Sequence, residues 1–406
     1  MNKVVVIGAG PAGMMAAITA ARNGRSVTLI EKNASPGKKL LITGKGRCNL
    51  TNSCGIDGFI ANIPVNGRFM YSSLRAFSNT DLMAFFENRG VKLKEERGGR
   101  IFPVSDKAAD ILNALTTSLK TEKVRIVQGR ATGIVTLNGS VTGVRLEDRS
   151  LIECNSVIIA TGGKSYPLTG STGDGYVLAE SLGHQIISPK PSLVPLETTE
   201  RYAFALQGLS LRNIGLRVLD GKTGKILYDD FGEMLFTHFG VSGPVILSAS
   251  AFVRNISGCK LEIDLKPALS DEKLEERVKR DFEMYSNKNF VNALTDLLPA
   301  KMIPVIADVC GIDRDKKINH ITKEERRTLV HTLKHFTLTV KCPRPINEAI
   351  VTSGGVSTKQ INPSTMESKL VKGLFFAGEV IDVDAYTGGF NLQIAFSTGH
   401  AAGMNA

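Results

Sequence analysis

Near its amino terminus the chain carries Gly8-Ala9-Gly10-Pro11-Ala12-Gly13 directly after an apolar run, residues 3–7, and directly before an Ala- and Met-rich stretch. The apolar run lacks alternation, which predicts a parallel strand covered on both faces. Pro11 near the first turn and Gly24 beyond the last predict a helix over residues 11–23. Residues 26–31 read as the next strand and complete a βαβ unit. In such a unit the first glycine permits a tight turn, the second lets a pyrophosphate approach the backbone, and the third lets the helix pack on the strand. An acid about 20 residues on, here Glu31, then accepts from ribose hydroxyls. The motif fixes a dinucleotide fold without choosing the dinucleotide.

Beyond this unit, residues 131–160 contain three or four short strands, with Asn138-Gly139 marking a hairpin turn and a second turn near Asp148. The texture changes near residue 189. Alternating strands at 211–219 and 261–265 precede helical stretches over 270–336, the last opened by a capping box of Thr322 and Glu325. After about residue 342 glycine-rich loops return, with a strand at 374–377 and a terminal helix from Gly389. The expected architecture is α/β. A Rossmann-like domain of residues 1–188 and 341–406 is interrupted by an inserted substrate or cap domain over 189–340, β-rich over 189–268 and helical over 269–340.

Fifty Lys and Arg against 39 Asp and Glu give a net charge of +11, which attracts anionic cofactors, carboxylates or nucleic acid and selects none of them. The basic helical part of the insertion reads as a solvated face, so nucleic acid is not the expected partner. Six cysteines scatter without a CxxC pair, which points to reduced thiols and a cytoplasmic location. Gly8, Gly10 and Gly13 interrupt the first apolar run, so it does not read as a signal peptide. No stretch reaches the roughly 20 apolar residues of a membrane span. His184, His320, His331, His335 and His400 form no ligand set, and no catalytic metal is expected. The oligomeric state stays open.

Three further segments separate the dinucleotides. Residues 158–163 (IIATGG) resemble the second flavin fingerprint of the glutathione-reductase-like FAD superfamily. Residues 373–379 (GLFFAGE) resemble the strand that returns to the ribityl chain, with Glu379 where Asp is commoner. Gly388-Gly389-Phe390-Asn391 opens the last helix, whose free N–H groups and positive dipole end suit the flavin N1/C2 carbonyl edge. Over essentially its whole length the chain resembles the YhiN/BaiN-type FAD-dependent flavoproteins, which include aminoacetone oxidase-like and bile-acid enone reductase-like members. The carrying residues are the loop 44–52 (GKGRCNLTN), 99–103 (GRIFP), 161–175, 377–384 (AGEVIDVD) and 388–393 (GGFNLQ). Ala385 departs from the pattern, since relatives commonly have glycine there.

The resemblance implies FAD as cofactor. The first turn supplies Gly8, Gly10, Pro11, Ala12 and Gly13, followed by Glu31 and Lys32. Lys39, Leu40, Thr43, Gly44, Arg47, Cys48 and Asn49 come from the next loop. Ala131, Ala160, Thr161 and Gly162 follow, and Gly378, Glu379, Asp384, Gly389, Phe390, Asn391 and Leu392 complete the set. In the loop, Lys45 and Arg47 suit a pyrophosphate or an acidic substrate, whereas Cys48 has no adjacent partner and reads as structural. Hydride transfer at a flavin asks the protein for orientation and a proton donor. His238, Tyr386 and Tyr166 are the candidates, each also readable as a packing residue.

The first functional expectation is NAD(P)H-driven reduction of a conjugated C=C bond in an enone of bile-acid or steroid type. With one dinucleotide fingerprint, the nicotinamide would bind only transiently. The alternative is an amine oxidase returning electrons to O2, and the third reading is a flavoprotein acting on RNA.

Overall fold

The computed structural model describes residues 2–406 except Arg254, in two compact units: the chain up to Ser192 with Pro345–Ala406, and Leu193–Arg344. In the first unit the strands β1 (Lys3–Ile7), β2 (Ser26–Glu31), β3 (Arg125–Gln128), β4 (Ser156–Ile159) and β5 (Leu374–Phe376) form one parallel sheet in the order β5-β4-β1-β2-β3. β1 pairs in register with β2 (Ile7 opposite Ile30) and with β4 (Ile7 opposite Ile159). Burial on both faces explains the unbroken apolar runs: Val4, Val5, Val6, Val157, Ile158 and Ile159 are all buried.

Helix α1 (Pro11–Arg22) follows the glycine turn with Pro11 in its first turn, as expected. α2 is Ala108–Thr121, and α3, Phe390–Asn405, closes the chain. α3 packs against α1 through small residues: a Cβ on Gly399 would stand 2.3 Å from the Ala12 carbonyl oxygen, and one on Gly403 would stand 2.4 Å from that of Ala16. These two helices join opposite ends of the sequence around the sheet. The hairpin of Ala131–Leu137 and Ser140–Leu146 turns at Asn138 and Gly139, both at positive φ, and Leu151–Glu153 completes an antiparallel meander. Ser156–Ile159 leaves that meander and joins the parallel sheet instead.

The second unit is a closed six-stranded barrel of Leu196–Thr198, Gly240–Ser242, Ile226–Phe236, Ser210–Leu219, Lys260–Asp264 and Phe336–Pro343, in that order, with its own apolar core. Its helices include Asp271–Met284, Ile303–Cys310 and Lys323–Lys334, and the reciprocal capping box of Thr322 and Glu325 is formed. The helical stretch expected up to residue 340 ends earlier, because Phe336–Pro343 returns to close the barrel between Lys260–Asp264 and Leu196–Thr198.

Candidate flavin site in the first unit

The glycine turn sits where β1, β2 and β4 end. Gly8 donates to the Ile30 carbonyl at 2.8 Å, and Ala160 donates to that of Ile7 at 2.9 Å. Gly8 has φ +102°, and a Cβ there would lie 2.6 Å from the Ala160 carbonyl oxygen. At Gly13 a Cβ would lie 1.8 Å from the Gly8 carbonyl oxygen, so the helix touches the turn it follows. Gly10 differs, since nothing lies within 4 Å of its ideal Cβ. The open side of the turn is therefore at Gly10, beside the N-terminus of α1, where no side chain caps the free N–H groups.

Glu31 is buried. Its Oε2 accepts from the Ala9 N–H at 2.8 Å, and its Oε1 accepts from the Asn33 backbone at 2.8 Å and side chain at 2.7 Å. Lys32 donates to Thr172 at 2.5 Å and to Asp174 at 2.7 Å, while Ala131 is buried opposite Leu146. Thr161 and the left-handed Gly162 follow the end of β4.

A second group converges from positions far apart in sequence. Lys39 Nζ donates to Glu379 Oε2 at 2.7 Å and to the Ser165 hydroxyl at 2.6 Å. Ser165 donates to Glu379 Oε1 at 2.9 Å, which also accepts from the Thr352 N–H at 2.8 Å. Glu379 is thus fixed by three donors, a role its likeness to a ribityl-binding acid does not reveal. Ser165 lies within the 161–175 segment that carries the family resemblance, but Thr352 sits in a plain strand with no sequence signal.

In the 38–49 segment, Leu40 is buried and its carbonyl accepts from the Thr43 hydroxyl at 2.6 Å. Gly44 and Lys45 are both left-handed. Arg47 requires a correction: expected to face a pyrophosphate or an acidic substrate, it is held by Glu96 and by Asp106 (2.7 Å) and lies over the Phe102 ring at 4.2 Å. Those two carboxylates raise its pKa and already satisfy its charge. Burial pushes the Cys48 thiol up to about 12, which leaves it protonated and unreactive.

At the carboxyl-terminal side, Gly389 has φ +99°, and its Cβ would fall 2.2 Å from the Thr51 carbonyl oxygen. With its amide oriented to suit its neighbours, Asn49 accepts from the Gly389 N–H at 3.0 Å and donates to the Thr51 carbonyl at 3.2 Å. Asn391 pins the preceding loop, accepting from the Ala385 N–H at 3.0 Å and donating to its carbonyl at 2.7 Å. Phe390 meets Phe59 edge to face at 5.2 Å, and Leu392 is half-buried. Gly378 donates to the Thr398 hydroxyl at 2.9 Å, and a Cβ there would stand 2.8 Å from the Ala12 Cβ. Asp384 is buried and accepts from Ser192 at 2.7 Å.

Of the proton-donor candidates, Tyr166 has left-handed φ (+52°), and its carbonyl accepts from Thr169 Oγ1 at 2.7 Å. Tyr386 is half-buried just before Gly388, with its N–H donating to the Asn62 carbonyl at 3.0 Å. His238 belongs to the second unit, in the exposed turn between Ile226–Phe236 and Gly240–Ser242, with its ring against Phe239. Among the described residues no group of three His, Cys, Asp or Glu could hold a metal, and no helix is long and apolar enough to cross a membrane.

An FAD suits these residues. The open glycine turn admits a pyrophosphate, the buried Glu31 closes the neighbouring strand, and two long helices, α1 and α3, begin without side-chain caps of their own. The comparisons agree. A protein of Clostridium scindens (strain ATCC 35704 / DSM 5676 / VPI 13733 / 19) named 3-dehydro-bile acid delta(4,6)-reductase is 32% identical over 412 residues, covering 100% of this chain and 99% of that one. One from Haemophilus influenzae (strain ATCC 51907 / DSM 11121 / KW20 / Rd), named ribosomal RNA dihydrouridine synthase, is 32% identical over 407 residues, covering 99% and 97%. The fold is shared with 3-ketosteroid-delta4-(5alpha)-dehydrogenase of Rhodococcus jostii RHA1, at TM-score 0.52 and 14% identity, covering 100% of this chain and 96% of that one. Residues 2–405 match the family described as HI0933-like protein Rossmann domain, and the chain belongs to it as an FAD-dependent oxidoreductase.

Proposed function

We propose that this protein reduces a C=C bond conjugated to a carbonyl, with an enone of 3-oxo bile-acid or steroid type as the first substrate class. The observation that carries the reading is full-length similarity to the Clostridium reductase, together with a first unit whose residues suit FAD. When bound, FAD supplies a hydride acceptor and donor at N5. The chain's residues then orient the substrate carbonyl and deliver a proton to the carbon next to it, while hydride adds at the far end of the double bond. His238, Tyr386 and Tyr166 remain the proposed proton donors. The flavin contacts expected from the sequence are proposed here as well, with Arg47 left out because Glu96 and Asp106 already hold it. NADH or NADPH is the proposed reductant, binding transiently because only one glycine fingerprint is present.

A second reading has its own support. The Haemophilus relative carries a ribosomal RNA dihydrouridine synthase name, and the chain's net charge is +11. The uracil C5=C6 bond is conjugated to the C4 carbonyl, so its reduction uses the same hydride and proton addition. The deciding experiment offers flavin-reduced protein, without oxygen, either a 3-oxo-Δ4,6 bile acid or protein-free ribosomal RNA from a strain lacking this gene. Reoxidation by the bile acid alone supports the first substrate, and dihydrouridine formed in the RNA supports the second. Flavin bleaching by aminoacetone, with peroxide formed in air, would instead establish the oxidase.

A further inference from the structure

All five strands of the first unit's sheet are parallel, so their N-terminal ends share one edge, opposite the edge that carries the glycine turn and Glu31. Cations enter that edge at four of the five strands. Lys372 precedes β5, Lys3 begins β1, Arg25 precedes β2, and Lys123 and Arg125 lead into β3. Backbone hydrogen bonds hold the entries side by side: Val157 N–H to the Gly373 carbonyl (2.8 Å), Asn155 N–H to that of Lys3 (2.9 Å), and Ser26 N–H to that of Asn2 (3.0 Å). At roughly 4.8 Å between strands, the row is about 20 Å long. Lys120, in the last turn of α2, stands beside it.

Helix C-termini also end at this edge and carry partial negative charge, which attracts cations for structural reasons. Two arginines fit that account. Arg25 Nε donates to the Ala406 carbonyl at 2.9 Å, and Arg22 pairs with Glu122 at 2.7 Å. Lys3, Lys120, Lys123, Arg125 and Lys372 do not: all are exposed, and among the described residues none has a side-chain ion pair or hydrogen bond. The nearby acids are Glu122, already paired with Arg22, the exposed Glu153, and the half-buried Glu367, whose carboxylate accepts from the Gly373 N–H at 3.0 Å. Neither the helices nor the acids account for a row of five unpaired cations.

We propose that this rim docks the phosphate backbone of a structured RNA, away from the flavin turn, a proposal that rests on the ribosomal RNA reading above. Lys and Arg bind phosphate by displacing condensed counterions, so affinity falls with salt in proportion to the charges engaged. Such a rim would hold the RNA while its target base reaches the chemistry elsewhere.

The test uses the FAD-loaded protein and protein-free ribosomal RNA, with binding followed between about 50 and 200 mM salt. A K3Q/K123Q/R125Q variant is expected to lose at least about tenfold in affinity at the lower salt. Its log–log salt slope should be shallower by about 2, from roughly 0.7 per phosphate contact on single strands. Its FAD content and its reduction of a soluble enone should match wild type. A K222Q/K225Q/K260Q variant, with the same charge removed from the second unit, should keep the wild-type slope. The proposal is overturned if both triples behave alike, if wild type does not bind the RNA at the lower salt, or if the rim variant loses only binding to phosphatidylglycerol vesicles. Rim-dependent RNA binding without dihydrouridine formation upholds the rim and removes the substrate reading. Dihydrouridine formation with unchanged binding by the rim variant does the reverse.

Discussion

The Glu31 carboxylate accepts the Ala9 N–H at 2.8 Å, so the acid that closes β2 is tied to the centre of the glycine turn that follows β1. Ribose hydroxyls would therefore meet a carboxylate already oriented by the turn that receives the pyrophosphate. Hydrogen bonds to a charged group are worth about 1.5–3 kcal/mol. Glu31→Ala should accordingly weaken FAD binding by roughly ten- to a hundredfold, measured by flavin fluorescence during titration of the apoprotein. An unchanged affinity would remove Glu31 from the cofactor site.

Gly10 and Gly13 separate folding from cofactor binding. Gly13→Ala places a methyl 1.8 Å from the Gly8 carbonyl oxygen and should lower the melting temperature of the apoprotein. Gly10→Ala meets nothing within 4 Å and should melt like wild type yet fail to retain FAD. Retention of FAD by Gly10→Ala would contradict the placement of the pyrophosphate.

Much of this was legible because the signals are local. The Asn138-Gly139 hairpin turn, the Thr322/Glu325 box and the start of α3 each lie within a few residues, and the β1–α1–β2 unit is one unbroken stretch, Lys3 to Glu31. The barrel was less so. Two of its strands have three residues, and Ile226–Phe236 carries Asp229, Asp230 and Glu233 along a largely exposed stretch, which hides any alternation. Lys39 and Glu379 are 340 positions apart, and nothing in either segment announces the other. Arg47 misled because its loop looks anion-binding, while its partners Glu96, at the end of strand Leu93–Glu96, and Asp106, in the turn after strand Arg100–Pro103, are 49 and 59 positions away and give no such signal.

His184 is buried and His400 is half-buried, and desolvation lowers both below the ordinary 6.5. His184 ring nitrogens lie 3.2 Å from the Ala179 carbonyl and 2.8 Å from the Ser368 hydroxyl, and His400 stacks on Phe77. Below 6.5 the unfolded chain binds protons that the folded chain refuses, so this stability is present above that pH and is lost as the pH falls. The slope is up to about 1.4 kcal/mol per pH unit for each group. Urea melts of an H184Q/H400Q variant should show a flatter pH dependence just below 6.5. A slope equal to wild type would contradict neutral burial.

Cys48 is completely buried with a raised pKa, whereas Cys54 and Cys342 are half-buried. A thiol reagent at mildly alkaline pH should leave Cys48 unmodified in the native protein and label it once guanidinium unfolds the chain. Peptide mapping reads the result, and prompt native labelling of Cys48 would show that its loop opens.

The central claim is that reduced flavin in this chain delivers hydride to a C=C bond conjugated to a carbonyl. Its most direct measurement is anaerobic mixing of the flavin-reduced protein with a 3-oxo-Δ4,6 bile acid or with unmodified ribosomal RNA while the flavin absorbance is followed. The account predicts that the yellow colour returns with one acceptor bond reduced per flavin. No return of colour with either acceptor, together with bleaching of the oxidised protein by an amine, would contradict it.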